Sequence, residues 1–285
     1  MGFEVSDNAP KLWFAISSYE LENAEPAAIL KIAERTPCAC ERIKLWKFFK
    51  QFGESMTLAR KIARQVTLLK ARALQRKYRF FTMIPAGKFV QNLMLCWRYA
   101  PKTECIVECG VWRGGMSAGI SELLPGRQHY LLDSFEGLPP PREVDGTAAF
   151  EWQKDTNSPA YYDNCSAEIS FAQKAMTQGK AKTHQLIKGW FRDTLPGFVA
   201  EEPIAVLRLD GDWYDSTMEC LQALYPKVML GGLIIIDDYD TWDGCTRAVH
   251  DYLSREGFAD PIRQYHGVTY IIRRDTEAIR VGAAT

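Results

Sequence analysis

Five short apolar runs recur from residue 104 onward: ECIVECG (104–110), HYLLD (129–133), HQLIK (184–188), IAVLRLD (204–210) and GGLIIIDD (231–238). Segments with helical spacing of apolar residues separate them: MSAGISELL, AEISFAQKAM and STMECLQALY. Short apolar strands alternating with helices predict βαβ units and a parallel, doubly wound sheet. The closing stretch DPIRQYHGVTYIIRR (260–274) reads as two strands about a tight turn at His266-Gly267, an antiparallel finish to that sheet.

Ahead of residue 81 the rhythm is helical. Asn23 and Pro26 precede an apolar-periodic run, as a helix start would. Residues 44–81 are basic, with apolar positions at helical spacing, and predict amphipathic helices that cover either the main domain or a partner subunit. The expected organisation is a helical extension or cap over 1–80 and a main domain over 81–285. A homo-oligomer is expected from the same helices.

Composition narrows the function classes. The chain has 285 residues, 47% hydrophobic and 25% charged, and its 35 basic and 35 acidic side chains cancel. Net charge therefore gives no ground for a nucleic-acid or anionic-membrane partner. No run approaches the roughly 18 apolar residues of a membrane span. The N-terminus lacks a signal-peptide pattern, and Met1-Gly2 with Ser6 matches only a short acylation motif. Eight cysteines are too sparse for a disulfide scaffold, so reduced thiols in the cytoplasm are expected. Cys105 and Cys109 read as core, and Cys38-Ala-Cys40 has no second pair to complete a metal site.

The first candidate chemistry is VECGVWRGGMS (107–117), between the first strand and the first helix of the main domain. Gly110, Gly114 and Gly115 allow a tight turn and close approach to a ligand at the strands' carboxyl ends. Their spacing is neither the dinucleotide pattern nor a P-loop, which disfavours a nicotinamide dehydrogenase. Glu108 lies in the strand before the loop, and Asp133 ends the next strand, 25 residues on. Such an acid can bind the hydroxyls of an adenosine ribose, and acid, glycine loop and acid together match how S-adenosylmethionine is held. The competing role for Asp133 is to cap the turn before Ser134.

The second is a set of acids. Asp210 and Asp212 end the fourth strand and Asp237 and Asp238 the fifth, so all would meet at one sheet edge. Like charges so placed must be protonated or neutralised by a cation. An oxygen-only set without histidine or cysteine favours Mg2+, with Mn2+ or Ca2+ as alternatives. Such a metal acidifies a bound alcohol, whose oxygen can then attack a sulfonium methyl. Asp215 is expected to cap the helix that follows.

At these residues the chain resembles the macrocin O-methyltransferase family. The resemblance rests on VECGVWRGG (107–115), DSFEGLPPP (133–141), KGWFRDTLP (188–196), LRLDGDWYDSTM (207–218) and GGLIIIDDYDTWDGCTRAV (231–249), in order across residues 80–275. It implies a Rossmann-like class I methyltransferase fold, α/β, with a seven-stranded mostly parallel sheet and an antiparallel last strand. It implies a magnesium- and S-adenosyl-L-methionine-dependent O-methyltransferase acting on a sugar hydroxyl of a natural product. Asp210, Asp237 and Asp238 would hold the metal. Asp210 would accept the proton, with Asp212 competing for that role. Cofactor contacts would come from Glu108, Cys109, Gly110, Val111, Trp112, Gly114, Gly115 and Ser117, and from Asp133, Ser134, Phe135, Glu136 and Gly137. Thr82, Met83, Ser166, Gly189 and Trp190 match further cofactor contacts. Residues 142–165 are where such enzymes close over substrate; Phe150, Trp152, Tyr161 and Tyr162 there serve a lid or simply pack. The residues also leave open a catechol or other non-sugar diol as acceptor, and a non-catalytic cofactor-binding protein.

Overall fold

The computed structural model describes residues 60–101 and 103–275. The chain divides into two compact units, residues 1–65 and 66–285. Of the first unit only 60–65 are described, and they are helical. The expected helices before residue 60, the acylation motif and Cys38-Ala-Cys40 lie outside the described residues.

In the second unit, helix α1 (66–78) is followed by α2 (Ala86–Tyr99), β1 (Cys105–Cys109), α3 (Gly115–Leu123) and β2 (Gln128–Asp133). Next come α4 (Thr147–Lys154), α5 (Ile169–Thr177), β3 (Thr183–Lys188), α6 (Phe191–Thr194), β4 (Ile204–Leu209) and α7 (Tyr214–Leu224). Then follow β5 (Val228–Ile236), α8 (Asp243–Glu256), β6 (Arg263–Tyr265) and β7 (Val268–Ile272). The seven strands form one sheet in the order β3-β2-β1-β4-β5-β7-β6. The first five pair in parallel, and β7 runs antiparallel to both β5 and β6. His266 and Gly267 both have positive φ, 48° and 80°, as a two-residue hairpin requires.

Alternate strand residues feed two cores. Ile106, Leu131, Val206 and Ile235 pack under α1, α2, α3 and α5 on one face. Val107, Leu132, Leu207 and Ile236 pack under α7 and α8 on the other. Helix α2 starts after Pro85, extended at ψ 139°, and stops at Ala100, which Pro101 holds extended. Strand order reverses between β1 and β4, and an open α/β sheet has its ligand crevice outside that switch point. Among the described residues no helix is long and apolar enough to cross a membrane.

Candidate active site

The loop after β1 is built against the chain itself. Gly110 has φ +85°, and a Cβ there would lie 1.8 Å from the carbonyl oxygen of Asp210. Gly114 and Gly115 face Ala172 and the Phe81 carbonyl less closely, at 2.9 and 2.6 Å from an added Cβ. Their missing side chains thus make room for neighbouring backbone. Asp133 fastens this loop: its carboxylate accepts from the backbone N–H of Val111 (2.6 Å), Trp112 (2.7 Å) and Phe135 (2.6 Å). Burial pushes the carboxyl up, and the three N–H groups pull it part of the way back. Asp133 therefore caps its turn and also lines the cavity.

That cavity, of about 680 Å³, opens at the switch point. Thr82, Met83, Glu108, Gly110, Val111, Trp112, Asp133, Ser134, Gly137 and Trp190 line it, together with Asp210, Asp212, Asp237 and Asp238. Other expected contacts sit elsewhere. Cys109 is fully buried in the α7 core, and Ser117 is buried, donating to Glu108. Phe135 and Ser166 line a neighbouring cleft with one edge of Trp112, whose Nε1 donates to the Ser166 carbonyl at 3.1 Å. Glu136 is exposed, 3.6 Å from Lys188, and Gly189 packs on Thr194.

Carboxylate oxygens of Asp210, Asp237 and Asp238 come within 4.8 Å of one another. Acids so placed were expected to be protonated or neutralised by a cation, and the protein's own side chains supply two cations. The Arg208 guanidinium, fully buried on β4, places Nη1 2.7 Å from Glu108 and 2.8 Å from Asp210, and Nη2 2.8 Å from Asp237. From α2, Lys88 reaches Asp237 Oδ2 at 2.9 Å and its carbonyl at 2.6 Å. Burial opposes ionisation of Asp237, but these two cations hold its carboxyl below the usual range.

Glu108, Asp210, Asp212, Asp237 and Asp238 still outnumber Arg208 and Lys88. The excess appears as strained ionisation. Burial and the acids around it push Asp238 well above its usual value. Burial and Asp210 push Asp212 up to about 7. Asp237 Oδ1, though near Arg208, is buried and accepts no well-aligned hydrogen bond. An all-oxygen set with surplus negative charge fits a hard dication.

Asp212 follows Gly211 in a left-handed conformation, φ +58°, rare outside glycine and typical of constrained functional loops. Its N–H donates to Asp238 Oδ2 (3.3 Å), and its Oδ1 accepts from Trp242 Nε1 (2.8 Å). Asp215 is not the cap of α7. Trp213 occupies that position without a side-chain bond, and Asp215 lies in the first turn. Its carboxylate instead takes both bonds of the exposed Arg142 Nη1, at 2.6 and 2.7 Å. The N–H of Tyr214 goes to Asp145 Oδ1 at 2.7 Å, a buried acid 69 positions upstream.

A model of the family described as "Macrocin-O-methyltransferase (TylF)" matches residues 48–274. The chain belongs to the macrocin O-methyltransferase family. Its relatives include the 8-demethyl-8-(2,3-dimethoxy-alpha-L-rhamnosyl)-tetracenomycin-C 4'-O-methyltransferase of Streptomyces olivaceus, 36% identical over 61% of this chain and 66% of the relative. The demethyldecarbamoylnovobiocin O-methyltransferase of Streptomyces niveus is 35% identical over 55% and 61%. The match thus spans just under two thirds of these relatives' lengths. Among solved structures, the O-methyltransferase NovP shares 29% identity with a TM-score of 0.51, covering 68% of this chain and 83% of that one.

In this family member, sequence reasoning missed Arg208, Lys88, Asp145 and Trp242. Arg208 left a signal: a strand buried on both faces of a parallel sheet reads as near-continuous apolar residues, and an arginine inside one must be paired. Lys88 and Asp145 left none, because each meets its partner only through the fold.

Proposed function

We propose that the protein is an S-adenosylmethionine- and magnesium-dependent O-methyltransferase that methylates a sugar hydroxyl of a glycosylated natural product. The observation that carries this is the convergence of Asp210, Asp237, Asp238 and Asp212 on the cavity that Glu108, Gly110 and Asp133 also line. The names of the relatives support the acceptor class.

Asp210, Asp237 and Asp238 would hold the metal, which when bound supplies Lewis-acid polarisation of the acceptor hydroxyl. Arg208 and Lys88 fix the carboxylates in place. The glycine loop and Asp133 wall the donor side of the cavity, toward which the acceptor oxygen must point. Asp212 is better suited than Asp210 to take the hydroxyl proton. Asp210 is committed to Arg208, whereas Asp212 has one oxygen on Trp242 and the other free of side-chain partners. Mass spectrometry of glycosylated acceptors incubated with S-adenosylmethionine, with and without a chelator, tests the reading. A methylated product that disappears with chelator is expected; undiminished product with chelator contradicts the metal.

A further inference from the structure

Three tryptophans from different segments meet beside Asp212. Trp152 comes from α4, Trp213 from the loop after β4 and Trp242 from the loop after β5. Their ring centroids are 6.1 Å (Trp152–Trp213), 6.0 Å (Trp152–Trp242) and 5.1 Å (Trp213–Trp242) apart, all edge to face. Trp213 is buried and the other two are only half-buried, and all three line the cavity. A cluster that served only as core would bury all three.

Every indole N–H in the cluster is already used. Trp152 donates to the Ala160 carbonyl (3.2 Å), Trp213 to the Pro139 carbonyl (2.9 Å) and Trp242 to Asp212 (2.8 Å). The wall therefore shows the cavity aromatic carbon and no donor. The acids beside it offer acceptors and charge. A ring bound between them would put a hydroxyl edge toward Asp212 and a C–H-rich face on the tryptophans, the usual division between apolar lining and a few polar groups in a ligand site.

We propose that Trp152 and Trp242, backed by Trp213, form the acceptor subsite and select neutral rings with one hydroxylated edge and one C–H-rich face, such as a deoxysugar glycoside. This rests on the methyltransferase reading above. Trp152 is the specificity-determining residue, since it touches no catalytic group. Trp242 is also a positioning residue, since its N–H fixes the Asp212 carboxylate.

The test uses p-nitrophenyl α-L-rhamnopyranoside as acceptor, with the full chain, S-adenosylmethionine and Mg2+. Trp152→Ala should raise acceptor KM about tenfold or more, the usual consequence of truncating an aromatic anchor, with kcat held. S-adenosylhomocysteine affinity by calorimetry should stay at the parental value. Trp152→Phe should recover most of the lost affinity. Trp242→Phe, which keeps a ring but loses the N–H, should lower kcat about tenfold while KM moves less than about twofold. Acceptor KM unchanged in Trp152→Ala, or S-adenosylhomocysteine affinity falling in step with it, overturns the subsite alone. A parent enzyme that transfers no methyl group to this glycoside overturns the sugar-acceptor reading and the subsite with it.

Discussion

Arg208 lies 2.7 Å from Glu108, so one buried guanidinium ties the acid of the glycine loop to the acids at the ends of β4 and β5. Removing it would leave three carboxylates facing one another. Arg208→Met should destabilise the fold by roughly 3–5 kcal/mol, the cost of breaking a buried ion pair from one side. Urea denaturation checks this. Added Mg2+ should restore more stability to the variant than it adds to the parent, because it replaces the missing charge.

Lys88 competes with any cation for Asp237. Lys88→Met should therefore tighten Mg2+ binding about tenfold, since an ammonium this close opposes a dication even at an effective dielectric near 20. Calorimetric titration measures it. Unchanged or weaker binding would show that Lys88 shapes the site instead of competing for it.

Gly110 has no room for a side chain, with the Asp210 carbonyl 1.8 Å from an added Cβ. Its φ of +85° adds strain for any other residue. Gly110→Ala should cost about 2 kcal/mol or more. It should also weaken Mg2+ and S-adenosylhomocysteine binding together, because the loop and the metal set share that contact.

His129 is buried on β2, and neither ring nitrogen has a hydrogen-bond partner. Burial, then Arg127 and His184, lower its pKa from 6.5 to about 3. Between those values the unfolded chain carries a proton that the folded chain does not. The stability linked to His129 is complete above pH 6.5 and is lost as pH falls toward 3. At pH 5 the loss should reach ~2 kcal/mol relative to neutral pH. His129→Leu should remove that part of the acid sensitivity in denaturation curves at the two pH values.

The four inner parallel strands were legible because strands buried on both faces must be nearly apolar throughout, whereas β3, an edge strand with no buried residue, was legible from the glycine that ends its run and its place between helical segments. The His266-Gly267 turn was legible for the same local reason. Helix α8 carried a readable stripe, Cys245, Ala248, Val249, Tyr252 and Leu253, masked by the acids crowded ahead of it. The acids of the site were legible as residues but not as a charge balance. Arg208 sits beside Asp210 in sequence, yet its contacts with Glu108 and Asp237 span 100 and 29 positions. Asp215 looked like a cap, with Asp212 its rival in the local sequence, whereas the fold brings Asp145 to the helix end from the 142–165 segment.

The central claim, that Asp212 removes the acceptor proton beside a metal held by Asp210, Asp237 and Asp238, is tested most directly by single-turnover methyl transfer in Asp212→Asn at saturating S-adenosylmethionine and Mg2+. The transfer rate should fall roughly 10²–10⁴-fold, the usual worth of a general base, with Mg2+ and S-adenosylhomocysteine affinities retained. A transfer rate equal to the parent's, with the same metal requirement, would contradict it.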